Sequence, residues 1–381
     1  MSRANRHRRR ALAGIAFSCG ALLMVAGTTG LTAAATGRGQ PAPVSAATGV
    51  TAKGISPAEC AANRHAGTII FVTSYSYAPA ASIADVVVAA RRGYFKDMCL
   101  HVTLQAGFST DNVALVSADR VQISSLGSDS EVLAARADGA RLEGVLTYGH
   151  TAISELITPG NAKITNLRQL DGTTVGIKGA LPYEVEAMLA NAGVDIASLR
   201  KVQVGYDPVI IDQGRIMALP VYKSNEIREL NVLGYKYKVW DPSSYGVAAS
   251  FATLVANTDF AGAHPTAVAD FLRADLAGFW WGYRHQNQAV AYCEDLVPAE
   301  LGITRPVGRF RWRVESGLVV RDTPAGGPLG APDFSLIASE YAQDVRLHLI
   351  PAGVDIHRAF NPSFVAAIYH GTRLVWPTKF R

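Results

Sequence analysis

A short apolar stretch in ALPVYKSNEIREL, residues 218–230, is followed at once by polar and aromatic side chains. Tyr222, Asn225 and Glu226 lie at the expected end of a strand. A tyrosine ring can stack on a flat ligand, while an amide and a carboxylate can bind its exocyclic amine and a ring nitrogen. The cluster therefore predicts a site for a small heteroaromatic molecule. The alternative is structural, since Ser224 or Asn225 can cap the following helix and Glu226 can stabilise its amino end.

Two more segments place polar groups at the start of a predicted helix. In SSLGSDSE, hydroxyl groups and backbone amides can surround polar ligand atoms, and a carboxylate can pair with an amine. In IKGALPYEVE, a proline at the first helical turn leaves backbone donors free beside a tyrosine and a glutamate. An ordinary helix cap explains the first segment equally well. The candidate ligand-binding residues in these segments are Ser128, Asp129, Glu131, Tyr183 and Glu184.

The usual catalytic and metal-binding patterns do not occur in the sequence. It has no Gly-x-Ser-x-Gly segment, no Cys-x-x-Cys pair, no HExxH and no cluster of histidines. We therefore predict a binding protein with no catalytic residue, no metal ion and no cofactor. A secreted enzyme is the competing interpretation.

The candidate segments belong to two series in which short apolar runs alternate with helical patterns, the first beginning at Thr68 and the second at Thr173. Such alternation favours an α/β fold with parallel sheets, whose ligand-binding groups follow the strand ends. From FATLVANTDF onward the pattern predicts helices. Residues 158–172 separate the two series and predict a crossing into a second lobe.

The predicted domain boundaries follow from these series. We expect lobe I to comprise residues 67–157 and 250–381, including the C-terminal helices, and lobe II to comprise residues 158–249. Tyr245 lies near the return crossing and is a further candidate for closing over the ligand.

The amino-terminal segment carries the positive charge of the chain. Five arginines among the first ten residues account for the net charge of +5, so the rest is neutral and no nucleic-acid partner is expected. Residues 1–35 combine this basic start with an apolar stretch and small residues, which predicts a signal peptide for export. An uncleaved membrane anchor is the alternative. Residues 36–66 are rich in Gly, Ala, Pro and Ser and predict a flexible spacer.

Three cysteines follow the predicted signal: Cys60, Cys99 and Cys293. Export makes a disulfide chemically permissible, and Cys60 with Cys99 is the preferred pair. Three buried free thiols are the alternative.

Several segments together resemble a known family. AARRGYFKDMCLHVTLQ, VQISSLGSDSEVLAARADG, ITNLRQLDGTTVGIKGALPYEVEAMLANAGV and QGRIMALPVYKSNEIREL occur in the order typical of the NMT1/THI5-like solute-binding proteins, which are extracytoplasmic receptors of ABC importers. The resemblance covers about residues 68–290. VYKSNE followed by SYG is most similar to receptors for pyrimidine precursors of thiamine.

The resemblance implies a type II periplasmic-binding-protein fold, with two α/β lobes joined by a hinge that the chain crosses twice. It implies a monomeric receptor that captures a small molecule and delivers it to an ABC permease. Tyr75 and Tyr77 follow the first strand, where the family presents an aromatic side chain to the ligand, and Tyr77 is slightly favoured. An alkanesulfonate or other anion as ligand, a pyrimidine-processing enzyme and a sensory receptor remain alternatives.

The sequence departs from the family pattern at two positions. Cys99 stands where the family usually has a glycine in a left-handed cap, and a disulfide to Cys60 would offset the resulting strain. Met217 replaces a usual aspartate, which removes a possible ligand contact.

Overall fold

The structure is a computed structural model and describes residues 49–51 and 53–377. The predicted signal peptide and the first part of the predicted spacer lie outside the described residues. Among the described helices, none is long and apolar enough to span a membrane.

The described part of the chain contains fourteen strands. They are β1 (Val50–Thr51), β2 (Gly54–Ile55), β3 (Thr68–Val72), β4 (His101–Gln105), β5 (Ile123–Leu126), β6 (Leu142–Gly149), β7 (Ser154–Pro159), β8 (Thr174–Ile177), β9 (Arg200–Gln203), β10 (Leu219–Tyr222), β11 (Tyr237–Trp240), β12 (Phe251–Asn257), β13 (Tyr369–His370) and β14 (Arg373–Leu374).

The described α-helices are α1 (Pro57–His65), α2 (Ala84–Arg92), α3 (Tyr94–Asp97), α4 (Ser109–Ser117), α5 (Asp129–Ala137), α6 (Tyr183–Asn191), α7 (Glu226–Leu233), α8 (Thr258–Ala263), α9 (Pro265–Arg284), α10 (Gln286–Glu294), α11 (Arg305–Asp322), α12 (Phe334–Arg346), α13 (Ile356–Ala359) and α14 (Ser363–Ile368). Short 3-10 helices occupy Leu167–Leu170, Ile196–Ser198, Pro208–Asp212, Pro242–Tyr245 and Ala299–Leu301.

Lobe I is built on a five-stranded sheet in the order β4-β3-β5-β12-β6. Strand β3 runs parallel to β4 and β5, whereas β12 is antiparallel to β5 and β6. Every residue of β6 and β12 is buried, because helices cover both faces of the sheet. The carboxyl ends of β3 and β5 point to one edge of this sheet, where ligand groups are expected.

The smaller lobe II contains two sheets. Strand β7 pairs antiparallel with β10 and β11, and β8 pairs parallel with β9. A single bridge between Val175 and Ala218 joins the two sheets. The chain crosses between the lobes over residues 150–153 and again over residues 246–250. The predicted fold class, two α/β lobes joined by two crossings, is confirmed.

Two boundaries differ from the sequence-based expectation. Strand β7 already belongs to lobe II, so the first crossing precedes residue 154 instead of following residue 157. This strand pairs antiparallel with distant segments, so the local alternation of strands and helices did not reveal it. The segment from Phe251 is strand β12, where helices were expected, because a short buried apolar run has no period that separates strand from helix.

The end of the predicted flexible spacer is also ordered. Ser56 caps α1 by accepting a hydrogen bond from the Glu59 backbone N–H, and Asn63 donates from Nδ2 to the Met98 carbonyl. Cys60 on this helix forms a disulfide with Cys99, the pair preferred from the sequence, and their Cα atoms are 5.2 Å apart. Cys99 has a φ of 56°, the left-handed conformation expected from the glycine it replaces.

Candidate functional site

A cavity of about 270 Å³ lies between the two lobes, at the carboxyl ends of β3 and β5 and of β10. Both lobes contribute side chains to its wall. The aromatic residues that line it are Tyr75, Phe108 and Phe251 from lobe I, and Tyr206 and Tyr222 from lobe II. A cavity of this size, with several rings and a few polar groups, suits a small flat ligand.

Tyr75 is the centre of the aromatic wall. Its ring meets Phe108 edge-on at a centroid distance of 5.6 Å, and across the cleft it lies 5.8 Å from the ring of Tyr206. Burial raises the pKa of Tyr75, so its hydroxyl stays protonated at neutral pH and can donate a hydrogen bond. The two tyrosines come from different lobes and contact each other here, so a ligand ring can enter between them only if the rings separate.

Three non-glycine residues near the cavity have positive φ angles. Ser76 and Ser82 lie in the loop after β3, with φ of 46° and 66°, and Ala252 near the start of β12 has a φ of 59°. The backbone N–H of Ala252 donates to the carbonyl of Gly127, which holds the start of β12 beside the end of β5. Such strained backbone is typical of ligand sites and hinges, where neighbouring contacts must enforce it.

The lobe II wall contains an ion pair. Lys178 binds the carboxylate of Glu226, and the second carboxylate oxygen accepts from the backbone N–H of Tyr222 at 2.9 Å. The side chains of Lys178 and Glu226 are only 16% and 5% exposed, so the pair is largely shielded from water. Lys178 also lies 5.8 Å from the ring centroid of Tyr206.

The lobe I wall contains a second pair of charged residues, one turn apart on α11. Glu315 accepts hydrogen bonds from the Ala81 backbone N–H at 2.8 Å and from the Ser224 hydroxyl at 2.6 Å. Since Ser224 belongs to lobe II, this buried carboxylate joins the two lobes. Burial raises the pKa of Glu315, and the nearby charge of Arg311 acts in the opposite direction. The guanidinium of Arg311 lies 5.6 Å from the ring centroid of Tyr75.

Four of the eleven candidate ligand-binding residues line this cavity: Tyr75, Tyr222, Asn225 and Glu226. Strand β10 and helix α7 position three of them as expected, because the strand ends at Tyr222 and the helix begins at Glu226. The side chain of Asn225 makes no capping hydrogen bond to this helix. Its amide is therefore not committed to the cap that was the alternative interpretation.

The lobe I candidates outside the cavity lining have structural contacts. Tyr77 donates its hydroxyl to the Leu104 carbonyl at 3.1 Å. It does not line the cavity, whereas Tyr75 does, so the structure does not support the preference for Tyr77 over Tyr75. Ser128 caps α5, and Glu131 accepts from the Gly127 backbone N–H at 2.9 Å. Asp129 is fully buried and accepts hydrogen bonds from two threonine hydroxyls.

The remaining lobe II candidates also have contacts elsewhere. Glu184 accepts from the Ser154 backbone N–H at 3.3 Å, and Tyr183 packs against an apolar cluster of lobe I. Tyr245 packs on the core of lobe II, and its carbonyl accepts a hydrogen bond from Asn191. These residues support the cleft without lining it.

Sequence reasoning missed several lining residues, above all Phe108, Tyr206, Arg311 and Glu315. The last two lie on α11, beyond the segment that resembles the family. A usable signal was present, because an arginine and a glutamate four residues apart share the helix face that carries the apolar residues Trp312, Leu318 and Val319. Among the described residues, no three His, Cys, Asp or Glu side chains are grouped to hold a metal ion.

Two lobes around a cleft define the class of protein as one with the periplasmic-binding-protein fold. The structure is similar to that of the periplasmic aliphatic sulphonate binding protein SsuA from Escherichia coli, with a TM-score of 0.56 and 16% identity over 77% of this chain and 92% of that chain. It also resembles DSZB, described as a desulfurization enzyme, in the structure of a mutant in complex with biphenyl-2-sulfinic acid; the TM-score is 0.50 with 13% identity, over 78% of this chain and 97% of that one. These likenesses concern the fold.

The sequence comparisons identify the family. The NMT1/THI5-like family matches residues 80–289, and the chain belongs to this family. A curated relative, the riboflavin-binding protein RibY from Chloroflexus aurantiacus, is 25% identical over 307 residues, which cover 76% of this chain and 84% of RibY.

Proposed function

We propose that this protein is an exported solute-binding receptor of an ABC importer, and that it captures a small flat heteroaromatic molecule between its lobes. The observation that carries the proposal is the aromatic lining to which both lobes contribute, in which Tyr75 of lobe I and Tyr206 of lobe II lie 5.8 Å apart with their rings tilted by 52°. A ligand ring that contacts both lobes at once favours the closed state, which is how such receptors couple binding to recognition by a permease.

The preferred ligand is a pyrimidine precursor of thiamine, of the hydroxymethylpyrimidine or formylaminopyrimidine type. Asn225 lines the cleft with an uncommitted amide, which can both donate to and accept from a pyrimidine edge. Glu226 is less available than its sequence position suggested, because Lys178 and the Tyr222 backbone already occupy its two oxygens. Recognition of the ligand amine would therefore fall mainly to Asn225.

A flavin is the second candidate. The similarity to a riboflavin-binding protein supports it, and so does the number of rings in the lining, which exceeds what one pyrimidine needs. A flavin also contains a pyrimidine-type ring, so the same polar groups can serve either ligand. An alkanesulfonate fits the aromatic lining less well, because it offers no flat face for the rings to cover.

An enzyme and a sensory receptor remain the competing classes. The cleft contains charged residues, but Glu226 and Glu315 both have their oxygens engaged by protein donors. These hydrogen bonds hold both carboxylates in place as parts of the wall. The proposed partners are a small-molecule ligand and an ABC permease, and the proposed location is outside the cytoplasmic membrane.

Mass spectrometry under native conditions tests the proposal. The full chain, purified from a host that exports it, is expected to carry one small heteroaromatic molecule per protein, released on denaturation and identified by its mass. A sulfonate in its place would keep the receptor but change the ligand class. A bound pyrimidine that is converted to a new product during incubation would contradict the receptor function.

A further inference from the structure

Arg311 is a buried cation in the wall of the cleft. Only 5% of its surface is exposed, and its Nε has no hydrogen-bond partner among the described residues. No carboxylate of the described chain lies within ion-pair distance of its guanidinium. A buried charge without a partner is costly, so an unengaged guanidinium that lines a cavity indicates a group the ligand must supply.

The neighbouring acids are already used. Glu315, one helical turn away, accepts from the Ala81 backbone and from Ser224 with its two oxygens, and Glu226 binds Lys178. Neither carboxylate forms an ion pair with Arg311, and their existing hydrogen bonds hold them in place within the wall. Arg311 therefore has donors that no acceptor of the described chain engages, and a ligand in the cleft can supply the acceptor.

Tyr75 relates this arginine to the aromatic wall. The guanidinium lies 5.6 Å from the Tyr75 ring centroid, and the same ring contacts Phe108 and faces Tyr206. At 5.8 Å the two tyrosine rings contact each other, and a ligand ring between them would need about 7 Å, so Tyr206 must move away for a flat ligand to stack on Tyr75. A ligand stacked there would present an edge to Arg311. The planar guanidinium can then donate two parallel N–H groups to that edge.

We propose that Arg311 anchors the ligand through an oxygen acceptor on the edge of its ring system, so the cleft selects oxo- or acylamino-substituted heteroaromatic molecules over rings that bear only amines. This inference rests on the proposed function and narrows its ligand class. Formylaminopyrimidine and the dione ring of a flavin both have such an oxygen. A simple alkylated aminopyrimidine has none.

Isothermal titration calorimetry with matched ligands tests the inference. The ligands are formylaminopyrimidine, the same aminopyrimidine with a methyl group in place of the formylamino group, riboflavin, and ethanesulfonate. The proteins are the unaltered chain, Arg311→Gln, Arg311→Lys and the control Arg309→Gln, which changes an exposed arginine on the same helix. Circular dichroism of each variant checks that it is folded. Arg311→Lys keeps the charge but loses the paired donors, so it serves if the glutamine variant does not fold.

We expect the unaltered protein to bind an oxygen-bearing ring, and Arg311→Gln to weaken that binding roughly 10- to 100-fold. Binding of the oxygen-free pyrimidine should be weak and equal in all four proteins. An oxygen-bearing ring that binds Arg311→Gln and Arg311→Lys as tightly as the unaltered protein would overturn the role of Arg311 and leave the proposed function standing. Binding of ethanesulfonate alone would overturn the inference together with the proposed heteroaromatic ligand class, and would leave the receptor function standing.

Discussion

The lobe I wall of the cleft holds a buried cation without a partner, whereas the cation in the lobe II wall is already paired. Arg311 has an Nε with no acceptor among the described residues, while Lys178 binds Glu226 within its own lobe. A paired group gains little from a ligand, because each new contact replaces an existing one. On the proposal above, lobe I supplies the charged contact to the ligand through Arg311, whereas lobe II supplies the neutral amide of Asn225.

The aromatic residues show the same asymmetry. Tyr75 is partly buried and contacts Phe108, Tyr206 and Arg311, which fix its orientation. Tyr206 is 57% exposed and contacts Tyr75 and Lys178. A fixed ring loses less side-chain entropy on binding than an exposed one, so it contributes more net free energy.

The largest effect is expected from Tyr75→Ala. Loss of a mostly buried aromatic surface should weaken ligand binding by about 2 to 3 kcal/mol, or roughly 30- to 150-fold. Titration calorimetry with the co-purified ligand measures this change. Tyr77→Phe is the matched control, because it removes only a hydroxyl that binds the Leu104 carbonyl outside the cavity. Equal losses in both variants would show that the loop, and not the ring, was disturbed.

Lys178→Met should lower the stability of the protein rather than its affinity. The change leaves the buried carboxylate of Glu226 without its cation and should cost about 2 kcal/mol of unfolding free energy. Adding Glu226→Gln should restore much of this stability, since the amide oxygen can still accept from the Tyr222 backbone. Urea unfolding of the single and double variants measures the effect. A double variant that is less stable than Lys178→Met would contradict the view that Lys178 serves mainly to neutralise Glu226.

The pH dependence of stability should arise mainly in lobe I. Burial raises the pKa of Asp85 and of Asp129 to about 6 and that of Glu143 to about 7. Between the ordinary carboxyl pKa and these raised values, the folded protein binds protons that the unfolded chain has already released. Protonation therefore stabilises the folded state at low pH, and this contribution is lost as the pH rises through 6 to 7. We expect a higher urea midpoint at pH 5 than at pH 7.5.

Asp129→Asn separates this effect from a general response to pH. The amide oxygen can still accept from Thr147 and Thr253, so the variant should remain folded and show a shallower decline of stability with pH. The comparison variant in lobe II is Glu155→Gln, since burial also raises the pKa of Glu155 to about 7. If Glu155→Gln flattened the profile more than Asp129→Asn, the assignment to lobe I would be wrong.

The smallest effect is expected from Tyr206→Ala. Its exposed ring should contribute about 1 kcal/mol or less to binding, a change of up to roughly fivefold, because water already covers much of its surface. Calorimetry alongside Tyr75→Ala gives the ratio of the two losses. Losses of equal size would remove the asymmetry between the two walls.

Much of the fold could be predicted, because local patterns decide it. The strand ending at Tyr222 and the helix starting at Glu226 were both evident from apolar runs and the residues beside them. The failures were elements with distant partners. Strand β7 pairs with β10 and β11, some sixty to eighty residues further along the chain, and nothing in its own sequence shows this.

The site was less predictable for the same reason. Tyr75 and Asn225 directly follow predicted strands, so the topology alone brings them to the cleft. Glu315 reaches the cleft through contacts with Ala81 and Ser224, which are 234 and 91 residues away in sequence. No local sequence pattern joins such distant segments, so the positions of Arg311 and Glu315 in the cleft could be found only from the three-dimensional structure.

A crystal structure of the protein with its co-purified ligand tests the central claim most directly. We expect a flat ring stacked on Tyr75, with Tyr206 moved away from its present contact. An oxygen on the edge of the ligand ring should lie within hydrogen-bond distance of the Arg311 guanidinium, with the Lys178–Glu226 pair intact. A ligand that binds Lys178 or Glu226 directly and makes no contact with Arg311 would contradict the claim that Arg311 supplies the charged contact to the ligand.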